Sequence, residues 1–135
     1  MNEKQLIEAA FHAREGAYAP YSSFGVGAAL LCSDGRIFEG CNVENSSFSL
    51  TNCAERTAIF KAVSEGETDF KAIAVVGGHI ERECLDLCPP CGACRQVLAE
   101  FCKGDFKVIL ARSVEDFIVT TLGELLPLSF ELNKE

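Results

Sequence analysis

The sequence predicts an α/β protein in which one sheet is covered by helices on both faces. Three observations lead there. Segments of helical periodicity alternate with short apolar runs in the order α-β-β-α-β-α-β-β. Two of those runs, 71–77 and 106–111, are continuously apolar, as strands buried on both faces must be. A chain of 135 residues that is 48% apolar and 24% charged can bury a core without disulfides. Residues 1–135 are expected to form one domain.

The elements follow in order. Leu6, Ile7, Ala10, Phe11 and Ala17 recur at helical spacing, so 3–17 reads as an amphipathic helix that Pro20 and Ser22-Ser23 close. Residues 24–32 and 36–42 are apolar runs joined by Ser33-Asp34-Gly35, a hairpin turn signal. A second helix runs 53–64, with Thr51 or Asn52 as its cap and Gly66 as its stop. The buried strand at 71–77 precedes a third helix at 92–101 and a second buried strand at 106–111. A last strand at 115–121 follows so closely that an antiparallel hairpin is expected, and a short helix spans 122–126.

Charge and cysteine usage narrow the function. The net charge of −8 disfavours a nucleic-acid partner, because an acidic surface repels phosphates. Met1 to Leu6 lacks the basic and apolar character of a signal peptide, and no apolar run has the length of a membrane span, so a cytoplasmic protein with no membrane partner is expected. Thiols stay reduced there. The eight cysteines then read as metal ligands or small buried residues rather than as a disulfide framework.

Two motifs carry the chemistry. Pro90-Cys91-Gly92-Ala93-Cys94 holds a C-x-x-C pair, one of the strongest metal-ligand spacings in sequence, and Cys53-Ala54-Glu55 supplies a third thiol with a carboxylate two residues on. Three thiolates fill three tetrahedral positions on zinc and leave the fourth for water, which Glu55 can deprotonate. Both motifs fall at predicted helix starts, where N–H groups and the helix dipole favour thiolates. Arg56, three residues after Cys53, lies on the same helix face and can donate to a ligand sulfur, offsetting the excess negative charge. Two rival readings use the same cysteines: a structural zinc knot completed by Cys88 or Cys84, and a redox pair in Cys88-Pro89-Pro90-Cys91. Neither has a use for Glu55. His12 and His79 are poor ligand candidates beside three thiols.

These residues resemble the zinc nucleobase deaminases, whose H-x-E and P-C-x-x-C pattern has a three-cysteine variant. Over nearly its whole length the chain is similar to the short, homotetrameric cytidine deaminases. Phe24 to Leu30, Gly40-Cys41-Asn42-Val43-Glu44-Asn45, Cys53 to Arg56, Pro90 to Gln96 and Glu124-Leu125-Leu126-Pro127 carry the likeness. The resemblance implies a three-layer α/β/α sandwich with a five-stranded mixed sheet. It implies one Zn²⁺ per subunit on Cys53, Cys91 and Cys94, with Glu55 as proton shuttle. By the same resemblance Asn42 and Glu44 bond the ribose hydroxyls, Phe24 packs beside the substrate, and backbone groups at Ala54 and Cys91 touch the base. Phe130 reaches a neighbouring subunit's site, and Gln96 supports Glu55 or the metal shell. Read without the family, Phe24 is core filling, Phe130 a docked aromatic, and Asn42 with Glu44 turn chemistry and a solvated charge.

The implied activity is hydrolytic deamination of cytidine and deoxycytidine to uridine and deoxyuridine, with a zinc-activated water as nucleophile and ammonia released, in pyrimidine salvage. A deaminase of another aminopyrimidine nucleoside, such as a nucleoside antibiotic, is the neighbouring alternative. A non-enzymatic zinc-stabilised binding module is the alternative from another class. Two positions depart from the family pattern: Pro89 stands where a small hydroxyl residue is usual, and Phe48 replaces a commoner Tyr at a subunit contact. Cys32, Cys41, Cys84, Cys88 and Cys102 have no role the resemblance supplies.

Overall fold

The computed structural model describes residues 2–82 and 85–132, so Cys84 lies outside the described residues. The chain runs α1 (Glu3–Arg14), β1 (Phe24–Cys32), β2 (Ile37–Cys41), α2 (Ala54–Ser64), β3 (Phe70–His79), α3 (Gly92–Phe101), β4 (Lys107–Ala111), β5 (Phe117–Thr121) and α4 (Leu122–Leu125). The five strands form one mixed sheet in the order β2-β1-β3-β4-β5. Only β3 and β4 pair in parallel, joined through α3, and β4 with β5 is the antiparallel hairpin expected from their short connection. The three-layer α/β/α sandwich with a five-stranded mixed sheet is therefore borne out.

Side-chain alternation builds the layers. Val26, Ala28, Leu30 and Cys32 of β1 point to one face with Ile73, Val75, Val108 and Leu110, under Ala58, Ile59 and Ala62 of α2 and Leu98 of α3. Ala29, Ala72, Ala74, Val76 and Ile109 point to the other face, against Leu6, Ile7 and Ala10 of α1. The α1 face is rich in alanine, which lets this helix lie close. Gly27 makes the approach possible: a Cβ there would run into the carbonyl of Ala10 and the N–H of Arg14. Gly40 serves α2 in the same way, since a Cβ would meet the carbonyl of Ala54 and the N–H of Ala58.

Several boundaries move from their sequence positions. The first helix stops at Arg14 rather than 17, because i→i+3 turns at Gly16 and Ala17 redirect the chain toward Tyr18, which bridges to Val43. The Arg14 guanidinium, at the helix end, donates to the carbonyls of Gly25, Gly78 and His79 at 2.9, 3.0 and 2.7 Å. β3 outruns its predicted end at 77. Gly77 and Gly78 pair with Val26 and Gly25, and they leave room for Cys88 and Leu85 to pack across them. Neither Thr51 nor Asn52 caps α2; Cys53 itself holds the N-cap position in extended conformation, and Asn52 donates to Thr57 Oγ1 instead. Gly66 ends α2 with φ of +89°, the left-handed conformation that glycine permits.

Candidate active site

The register gathers the predicted site at one end of the sheet. Phe24, at the start of β1, pairs with His79 at the end of β3, and Gly27 pairs with Cys41 at the end of β2. Past β2, Val43 is stitched between Tyr18 and Asn52 by backbone bridges. That places Asn42 and Glu44 against the start of α2, which Cys53 caps, while Cys91 caps α3.

Cys53, Cys91 and Cys94 converge. Their sulfurs all lie within 4.8 Å of one another, with Cys53–Cys91 at 3.8 Å and Cys91–Cys94 at 3.4 Å. Tetrahedral zinc with Zn–S bonds of about 2.3 Å sets its sulfurs about 3.8 Å apart. The donor chemistry asks for a cation. The Cys94 thiol donating to it, aided by Arg56 and Cys91, pulls Cys53 down to about 5 against the opposing effect of burial. Cys94, giving up its proton last, is pushed far up. The same contacts that favour the Cys53 thiolate disfavour that of Cys94, so holding all three sulfurs as thiolates needs a soft dication between them. Arg56 donates from Nη2 to Cys53 Sγ at 3.3 Å, and its Nε is buried without a partner among the described residues. The hydrogen bond to Cys53, followed by that sulfur's charge, raises the Arg56 pKa.

Glu55 follows Cys53 by two residues in the first turn of α2 and is only 4% exposed. Burial, reinforced by the Cys53 charge, pushes its carboxyl up to about 7. A carboxyl held there can both take and give a proton near neutrality. Cys88 stays outside the three-sulfur group and packs on Gly77 of β3. Burial and the charges of Glu55, Cys53 and Cys91 push it up to about 11, so it stays protonated beside the low-pKa Cys53. All seven described cysteines are free. The other thiol–carboxylate group, Cys32 with Asp34 and Glu67, already has its cation: Arg36 bonds both carboxylates at 2.9 and 2.7 Å.

The remaining predicted residues fall into two sets. Asn42 and Glu44 are buried and engaged with the chain. Asn42 accepts from Val26 N and donates to the Phe24 carbonyl, both at 2.8 Å, fixing the start of β1. Glu44 accepts from the N–H groups of Tyr21 and Ser22 and from the Ser22 hydroxyl. These donors hold its carboxyl below the usual carboxylate range. Ala54 is fully buried at the start of α2. Phe24 and Phe130 are exposed, Phe130 by 68%. Gln96 is engaged with the C-terminal tail. Its amide donates to the Phe130 carbonyl at 2.9 Å, because two residues past Cys94 is about 200° around the helix, away from the sulfurs.

Sequence reasoning missed two residues. Ser22 bonds Glu44, but beside Pro20 it reads only as a turn residue. Arg95 ties the carbonyl of Pro90, just before Cys91, to that of Leu125, each at 2.8 Å, and nothing in its spacing signals this.

With this geometry in place, the comparisons with known proteins fall into line. Residues 1–110 match the model of the family described as the cytidine and deoxycytidylate deaminase zinc-binding region. A cytidine deaminase of Halalkalibacterium halodurans is 55% identical over 130 residues, which cover 96% of this chain and 95% of that one. The crystal structure of a cytidine deaminase from Burkholderia pseudomallei is similar with a TM-score of 0.87 at 53% identity, over 96% of this chain and 100% of that one. At greater distance, a blasticidin-S deaminase of Bacillus cereus is 32% identical over 112 residues, 80% of this chain and 78% of that one. A family match over most of the chain, and relatives sharing half its residues from end to end, place the chain in the cytidine and deoxycytidylate deaminase zinc-binding family.

Proposed function

We propose that this chain removes the exocyclic amino group of cytidine and deoxycytidine by hydrolysis, giving uridine or deoxyuridine and ammonia. The observation that carries the reading is the closure of three sulfurs around one point beside a buried carboxylate. Cys53, Cys91 and Cys94 would hold the zinc. Bound there, zinc acidifies a water molecule and so supplies the nucleophile for carbon C4 of the pyrimidine. Glu55 takes up a proton and delivers it to ring nitrogen N3, which makes C4 more electrophilic. It then takes the proton of the hydroxyl newly bonded to C4 and gives it to the amino group, which leaves as ammonia as the C4 carbonyl forms. Burial of Glu55 suits it to both steps, since neither protonation state is strongly favoured near neutral pH.

Glu44 is an ionised acceptor at neutral pH, so the partner it seeks is a donor such as a sugar hydroxyl. Asn42 ties Phe24 to the same segment. This favours a nucleoside over the free base. Exposed Phe48, Leu50, Leu128, Phe130 and Leu132 form apolar surface that a monomer has no use for. We assign it to contacts in a homotetramer, with Phe130 reaching a neighbour's site. Reactive thiols at the centre suit the reducing cytoplasm.

The test is the loss of cytidine absorbance with zinc-loaded, chelator-stripped and re-loaded protein. Turnover is expected in the first, lost in the second and restored in the third. Glu55→Ala should retain zinc yet lose at least about 10⁴-fold in kcat, the upper range for one acid–base group. Zinc-loaded protein that leaves cytidine unchanged would sink the reading, and turnover of blasticidin S in its place would redirect it to the antibiotic nucleoside.

A further inference from the structure

We infer that Ser22 is a positioning residue for substrate binding, aligning Glu44 and Phe24 as one unit toward the sugar. The inference rests on the assignment of Glu44 to the ribose hydroxyls proposed above. Its basis is a two-bond relay. The Ser22 hydroxyl donates to Glu44 Oε2 and accepts from the N–H of Phe24 at 3.0 Å. Glu44 Oε1 meanwhile accepts from the Tyr21 and Ser22 N–H groups at 3.0 and 3.2 Å.

A carboxylate offers about four acceptor positions. Three of those on Glu44 are taken by its own chain, so the position left for a ligand is on Oε2, and Ser22 sets its direction. Without the hydroxyl, Oε2 loses its only protein donor among the described residues, and the carboxylate is free to turn about its Oε1 contacts. Phe24 N loses its acceptor in the same event. The loop is otherwise well anchored. Ser23 adopts φ of +59°, donates to Ala19 O at 3.0 Å and accepts from Ile80 N at 2.9 Å. Removing one hydroxyl therefore changes where Glu44 points more than where the loop lies. A serine that only closed this turn would affect melting temperature and leave substrate affinity alone.

The experiment compares cytidine kinetics of zinc-loaded Ser22→Ala, Ser22→Thr, Glu44→Ala and the Ser22→Ala/Glu44→Ala double variant, each with its melting temperature. Ser22→Ala is expected to raise KM about tenfold with kcat within about twofold, the pattern of lost uniform binding. Ser22→Thr, which keeps the hydroxyl, should restore KM. In the Glu44→Ala background, Ser22→Ala should raise KM no further, because the residue acts through Glu44. An unchanged KM in folded Ser22→Ala, or the same increase in both backgrounds, overturns the inference while leaving the ribose assignment standing. An unchanged KM in Glu44→Ala removes the ribose assignment and the inference with it. If Ser22→Ala does not fold, Ser22→Cys, nearly isosteric but a weak donor, reads the same quantity.

Discussion

Glu55 and Cys53 stand two residues apart at one helix start, yet their acidities move in opposite directions. Cys53 receives hydrogen bonds from Cys94, Arg56 and Cys91, which favour its charged form. Glu55 is buried, which disfavours its own. The outcome is an anionic ligand beside a proton carrier, from neighbours on one turn. Glu44 shows the other way to manage a buried carboxylate: three donors from the Tyr21–Ser22 turn keep it ionised. Its pKa lies below the usual 4.5, so the folded state binds a proton less readily than the unfolded chain. Its stabilising contribution is then complete above about pH 4.5 and is lost as pH falls through the folded value. Glu44→Gln should therefore melt below the parent protein at pH 7, with the gap closing toward pH 3. A gap of equal size at both pH values would show that the charge on Glu44 is not what the turn donors stabilise.

At the scale of elements, ligand geometry depends on how closely helices approach strands. Cys53 caps α2, and α2 rests on β2 at Gly40. Gly40→Ala puts a methyl into the backbone of Ala54 and Ala58, and neither atom can swing aside as a side-chain tip could. The helix must lift, carrying Cys53 away from Cys91 and Cys94. Overpacking of this kind typically destabilises by about 1–3 kcal/mol. We expect Gly40→Ala to melt lower and to bind zinc more weakly in competition with a chromophoric chelator. Parent-like values for both would separate α2 packing from the metal site. β3 illustrates a different dependence. It runs two residues past its predicted end because β1 pairs with Gly78 and His79, and Gly77 and Gly78 leave the space that Cys88 and Leu85 fill.

At the scale of the whole molecule, apolar side chains that the sheet does not need remain on the surface. Phe130 is held by its backbone, through Gln96, with its ring left outward. A homotetramer predicts a sedimentation mass near four times the 14.6 kDa of the chain, and a fall in specific activity once dilution separates the subunits. A monomer with full activity at nanomolar concentration would contradict both the assembly and the sharing of Phe130. No helix among the described residues is long and apolar enough to cross a membrane. By itself the sequence determined the five strands, the antiparallel last hairpin, and the three thiols with their carboxylate. Each of these is written in local pattern: side-chain period, turn residues and ligand spacing. Only the tertiary structure decided that Cys53 caps its own helix, that Gln96 faces the C-terminal tail, and that Ser22 and Arg95 brace Glu44 and the approach to Cys91. The bonds from Ser22 to Glu44, Arg95 to Leu125 and Gln96 to Phe130 join segments distant in sequence, set by strand register and helix rotation, and no local pattern encodes them.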